Sequence, residues 1–196
     1  MSGHSSDLSP ALAAVLARLC ERLGSLTKTQ AVKLPYLVDV VGTHFLGERI
    51  TRATYQTWKH GVVAAEVWHF AKFVGCVGIF KIEEEPYSEG SVSIRLAGPS
   101  PGGLSPDQEK VVDYVADQYG HANFDELGRM TKAMNVETRH WGSNRPAKVD
   151  DDAYARLVGH WSEVLRTLAH CDTEDEQNWT EVTEYSPEFF RKSLGV

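Results

Sequence analysis

No apolar run in this chain reaches the roughly 18 to 20 residues that a membrane-spanning helix needs. The opening residues Met1 to Asp7 lack the basic and apolar regions of a signal peptide. Cysteine is scarce. Cys20, Cys76 and Cys171 are odd in number and far apart, with no CxxC spacing. That excludes a local disulfide framework and suits free thiols in a reducing compartment, so the cytoplasm is the expected location. Basic excess is also missing: 20 Lys and Arg stand against 27 Asp and Glu, a formal charge of −7. Non-specific nucleic-acid binding needs cations to neutralise phosphates, so neither a nucleic acid nor a membrane is an expected partner.

Catalytic signatures are absent as well. There is no GxSxG elbow, no Walker loop and no GxGxxG after a strand. The eight histidines show no HxxH, HxxxH or HExxH spacing, and His170-Cys171 has no third ligand nearby. Glu83 to Glu85 read as a solvated turn, because three consecutive side chains do not converge on a metal. The expectation is a chain that is not an enzyme and holds neither metal nor cofactor.

What is present is an ordinary globular balance. An apolar share of 42% with 24% charged residues fits one core in a chain of 196 residues. The charge is uneven, +3 over residues 1–73 and −10 over residues 74–196. Residues 8–170 are expected to form one domain, and residues 171–196 an acidic, aromatic-containing tail docked on it.

Local signals mark the elements. Ser9-Pro10 supplies an N-cap and a first-turn proline, Leu12, Val15, Leu16, Leu19 and Leu23 form a stripe, and Gly24 stops the helix. Thr27 with Gln30 is a capping pattern that opens a helix to about Leu46. Pro35 lies inside it, where an interior proline costs roughly 3 kcal/mol. Either the helix kinks there, which is the preferred reading, or it begins there. Residues 49–60 read as a short strand or as an irregular turn. Val63, Val67, Phe70, Ala71 and Val74 have helical spacing, predicting a third helix from Val62 to Phe73.

Val77, Ile79, Val92, Ile94 and Leu96 alternate instead, predicting one small β-hairpin at about 76–96 with an acidic tip. Ser105 with Gln108 caps a helix to Tyr119, Asn123 with Glu126 caps a short one, and Asp150 caps a longer one to His170. The fold expected is mainly α (α+β), a compact helical domain of about six helices with that hairpin.

Two stretches concentrate polar and aromatic residues: Lys33-Leu34-Pro35-Tyr36-Leu37-Val38-Asp39, and Thr57-Trp58-Lys59-His60-Gly61-Val62-Val63. Tyr36 and Trp58 are also readable as core residues, their hydroxyl and indole N–H satisfied by Asp39 or by backbone. The first stretch resembles the Lys-Leu-x-Tyr-Leu-x-Asp helix of the Panacea domain, the SocA-like antitoxin family. Trp58, Gly61 and Val63 match the family's aromatic-x-x-Gly-Pro-Val turn. Leu104-Ser105, Tyr119-Gly120, Glu126-Leu127 and Trp141 match its second half. Pro35, Val62 in place of proline, and Lys132 after Thr131 depart from the family pattern.

The resemblance implies a mainly helical domain that binds and neutralises a protein toxin, encoded by an adjacent gene, by direct contact. In some relatives it implies delivery of that toxin to a protease. Candidate partner-binding residues are Lys33, Tyr36, Asp39, Trp58, Lys59, His60 and Trp141. Leu34, Leu37, Gly61, Tyr119, Gly120, Glu126 and Leu127 are structural members of the motifs. Two alternatives stay open: a small enzyme using a His60, Asp39 and Lys59 cluster, and a DNA-binding regulator using the helix pair at 106–133.

Overall fold

The capping signals are realised as hydrogen bonds in the computed structural model, which describes residues 8–85, 91–133 and 145–149. Helix α1 (Pro10–Leu23) starts where the Ser9 hydroxyl accepts the Leu12 N–H. It stops at Gly24, whose φ of 79° is open to glycine at little cost. Helix α2 (Lys28–Leu46) opens with a reciprocal box. Gln30 N–H donates to the Thr27 hydroxyl at 3.3 Å, and Thr27 N–H donates to Gln30 Oε1 at 2.7 Å.

Every residue of α2 from Ala31 to Gly42 is buried, so this helix is apolar-lined on all sides and the fold is built around it. It runs through Pro35 without a break, which overturns the reading in which the helix begins there. The proline leaves the Ala31 carbonyl without its usual i+4 donor, and burial on every side keeps the helix assembled regardless. Helix α4 (Pro106–Tyr119) has a second box between Ser105 and Gln108 and packs Val111, Val112, Val115 and Ala116 inward. It lies against both α1 and α2. The α1–α4 seam is closed by Arg18, which donates to both carboxylate oxygens of Asp113 at 2.8 Å, and by Arg22 on Asp117 at 2.6 Å.

The expected helical domain of six helices with one hairpin is wrong. Among the described residues there are five helices and six strands, an α+β fold. Strands β1 (Leu26–Thr27), β4 (Gly75–Val77), β5 (Phe80–Glu84) and β6 (Val92–Leu96) make an antiparallel sheet in the order β1-β6-β5-β4. Its inward residues Phe80, Ile82, Val92 and Ile94 join the core, with Ile82 opposite Ile94. On the outer face Lys81 is opposite Arg95, and Glu83 lies between them and bonds both. The two cations hold its carboxyl down at about 2, the Arg95 hydrogen bond contributing most.

A second antiparallel pair, β2 (Tyr55–Trp58) with β3 (Gly61–Ala64), occupies part of the stretch expected to be helical. Only α3 (Ala65–Phe70) of that expected helix exists. The four residues of β3 are all buried, and a short apolar run satisfies helical and strand periods alike. The β-branched Val62 and Val63 fit the strand better. Helix α5 (Phe124–Ala133) completes the set, packing on α2 and β3. The expected helix from Asp150 to His170, the tail 171–196 and Trp141 lie outside the described residues.

Candidate functional site

The β2–β3 turn is held from below by two side chains of distant origin. Lys33 on α2 is only 2% exposed, and its ammonium donates to the carbonyls of His60 and, at 3.3 Å, Val62. The Thr131 hydroxyl on α5 accepts the Val62 N–H at 3.2 Å and donates to the Leu127 carbonyl at 2.9 Å. Gly61, between them, has a φ of 104°, and a Cβ there would come within 2.2 Å of the Thr131 hydroxyl and 2.9 Å of the Lys33 ammonium. Glycine is required at this position on both counts. Burial pushes Lys33 down to about 8, with repulsion from Lys132 adding to it.

Asp39, one and a half turns further along α2, is fully buried and saturated. It accepts from Thr51 N–H and Thr51 hydroxyl at 2.7 Å each, from Tyr55 hydroxyl at 2.9 Å, and from Arg49 Nε and Nη2 at 3.1 Å. The Arg49 guanidinium also bonds the Ala53 carbonyl and lies over the Tyr55 ring, 5.1 Å from its centre. Burial and the Asp39 charge together push the Tyr55 phenol well above its ordinary value. This network fastens the loop after α2 to the middle of that helix. Tyr36 is buried as well, edge-on to Tyr55 at 5.1 Å, with its hydroxyl donating to the Lys148 carbonyl at 3.2 Å.

Residues 145–149 run along the open edge of β2. Thr57 N–H donates to the Arg145 carbonyl at 2.8 Å and Ala147 N–H to the Tyr55 carbonyl at 2.9 Å. The edge is thus covered by the chain itself.

Lys33, Tyr36 and Asp39 therefore act on any partner only through the backbone they position, since none reaches the surface. Trp58, Lys59 and His60 are where a partner could touch them. Lys59 and His60 are exposed at the turn, and the half-buried Trp58 ring meets Trp68 at 4.6 Å. Six residues of α2, about 9 Å of helix rise, separate Asp39 from Lys33, the residue that holds His60. Asp39 and His60 are not brought together, so the geometry does not form the cluster an enzyme would need.

The remaining motif residues are framework. Leu34, Leu37 and Leu127 are fully buried. Glu126 accepts the Asn123 N–H at 2.7 Å and caps α5. Gly120 follows Tyr119 where any Cβ would run into the Leu23 side chain at 2.6 Å, and its carbonyl accepts from Gln30 at 2.6 Å. Within the α4–α5 pair, Leu127 and Thr131 are turned into the core, while exposed Asp125 occupies the first turn of α5.

Phe124, the first residue of α5, is 46% exposed, with the His60 ring 5.0 Å away. It separates two clefts. One of about 370 Å³ lies between His60, Phe124, Gly128, Arg129 and Lys132. The other, of about 380 Å³, lies between Thr27–Gln30, Glu85, Ser91 and Phe124. Trp68 also escaped sequence reading, though as an aromatic off the Val67–Phe70–Ala71 stripe it carried a detectable signal.

Residues 31–137 match the family model described as Antitoxin SocA-like, Panacea domain. No curated protein and no solved structure matches the chain.

Proposed function

The chain belongs to the SocA-like, Panacea-domain antitoxin family, and we propose that it binds and neutralises a protein toxin by direct contact. The observation that carries this reading is the family match over residues 31–137, which takes in most of α2, strands β2 to β6 and helices α3, α4 and α5. The geometry is compatible with it. Lys33, Gly61 and Thr131 converge to hold one exposed turn rather than to line a reactive cavity. No helix of the described residues is long and apolar enough to cross a membrane, and we place the encounter with the toxin in the cytoplasm.

Co-expression with the product of the adjacent gene tests the proposal. Growth arrest by that product should be relieved and the two proteins should co-purify. A neighbour that stays fully toxic and unbound overturns the reading. Following the toxin's half-life in the same cells separates simple neutralisation from delivery to a protease. A stable toxin indicates the first, and one lost faster when this chain is present indicates the second.

A further inference from the structure

Among the described residues, the surface cations differ in whether a carboxylate of the same chain pairs with them. Arg18, Arg22, Arg49, Lys81, Arg95 and Lys110 each have a carboxylate within ion-pair distance. Arg52 and Lys148 have none among the described residues, and neither do three further lysines, Lys28, Lys59 and Lys72. These three are not scattered. The Lys28 ammonium sits 3.9 Å from the centre of the Trp68 ring and that of Lys72 5.9 Å from it. Trp68 packs on Trp58, and Lys59 follows Trp58 at the hairpin turn. Lys28 also borders the cleft whose far wall is Phe124, so cations, indoles and phenyl ring form one continuous face.

Such a face is costly to the isolated chain. Lys28 is driven below its ordinary value by burial first and by the neighbouring Lys72 second. Lys28 and Lys72, gathered over the Trp68 ring, lack the carboxylates that the α1–α4 seam supplies to Arg18 and Arg22. Aromatic side chains are also the commonest anchors of protein interfaces. The chain as a whole carries −7, so an acidic partner depends on local clusters of cations such as this one.

We propose that this face is the toxin-docking surface, and that the toxin presents an acidic segment bearing an apolar anchor. Its carboxylates lie over Lys28, Lys59 and Lys72, and the anchor enters a cleft beside Phe124. The assignment rests on the antitoxin reading above. A nucleic acid fits less well, because it needs a run of phosphate-neutralising cations that three lysines on a chain of net charge −7 do not supply.

The test measures association and dissociation of the full chain with the purified product of the adjacent gene. It is run at about 50 mM and about 300 mM salt, where screening differs strongly. A Lys59→Glu/Lys72→Glu double variant should associate about tenfold more slowly at low salt, with the gap closing at high salt. Phe124→Ala should dissociate at least about tenfold faster. Both should keep the wild-type thermal midpoint. A toxin carrying Lys in place of acidic residues should bind the double variant better than the wild type.

If wild type binds while both variants bind identically to it, the face is wrong and the antitoxin reading stands. If wild type does not bind, the antitoxin reading fails and the surface falls with it. If the double variant instead loses a salt-sensitive affinity for an oligonucleotide, the acidic-protein assignment is overturned.

Discussion

The polar groups beneath the β2–β3 turn and those on top of it differ in what satisfies them. Beneath, Lys33 and Thr131 are buried and bonded to groups of the same chain, as Asp39 is further along α2, so a change at any of them falls on folding. On top, Lys59, Lys72 and Phe124 face solvent, and Trp58 and Trp68 are half-covered. A change there leaves the fold nearly untouched and falls on whatever docks. The conspicuous charged residues of the Lys33–Asp39 helix thus belong to the frame, and the contact surface we propose lies one layer further out.

Mutations that sort cleanly into these two layers would sharpen the contrast, and mutations that cross it would break it. The largest stability loss is expected for Asp39→Ala, about 3–5 kcal/mol by urea unfolding, because Arg49, Thr51 and Tyr55 would keep buried polar atoms without their acceptor. A loss below about 1 kcal/mol would remove Asp39 from the frame. Gly61→Ala comes next, at about 2–4 kcal/mol, combining a strained φ with a collision against Thr131.

Lys33→Met is expected to cost about 2 kcal/mol at neutral pH, through two lost charge-assisted bonds. It should also change the pH profile. Lys33 titrates near 8 when folded and at the ordinary 10.5 when unfolded, so between those values the unfolded chain binds the extra proton. Stability from this residue therefore rises with pH across that window and is flat below it. Unfolding midpoints at about pH 7.5 and pH 9.5 should diverge in favour of wild type, and a parallel shift in both proteins would refute the buried cation. The smallest effect is expected for Lys59→Glu/Lys72→Glu, within about 0.5 kcal/mol in the free chain. A large loss of stability there would merge the two layers into one.

Much of this molecule was legible without coordinates where the deciding bond is short-range. The starts of α1, α2, α4 and α5 were read from Ser9, Thr27–Gln30, Ser105–Gln108 and Asn123–Glu126, and each is the cap found. Strand β6 was visible as the alternation of Val92, Ile94 and Leu96. Val77 and Ile79, read as its partner strand, fall in β4 and the turn after it, and the pairing strand β5 alternates at Phe80 and Ile82. The sheet's edges were not visible. Strand β1 is two residues long and β4 three, too few for any period to register. Strand β3 was mistaken for helix because its neighbours Val67 and Phe70 lie at helical spacing from Val63. The candidate site was half legible. Trp58, Lys59 and His60 were named in advance, while Trp68 and Phe124 were assigned to helices without a surface role.

The sequence by itself determined where α1, α2, α4 and α5 begin and which family the chain joins, because caps and motif spacings close within a few residues of one another. Tertiary structure alone decided that Val62 and Val63 extend rather than coil, since their partners are on β2 and Thr131 is 69 residues away. It alone decided that Lys33 and Asp39 face inward while Lys28 and Lys72 share one indole. Burial and charge pairing depend on what the rest of the chain places opposite a residue, and no local pattern records that.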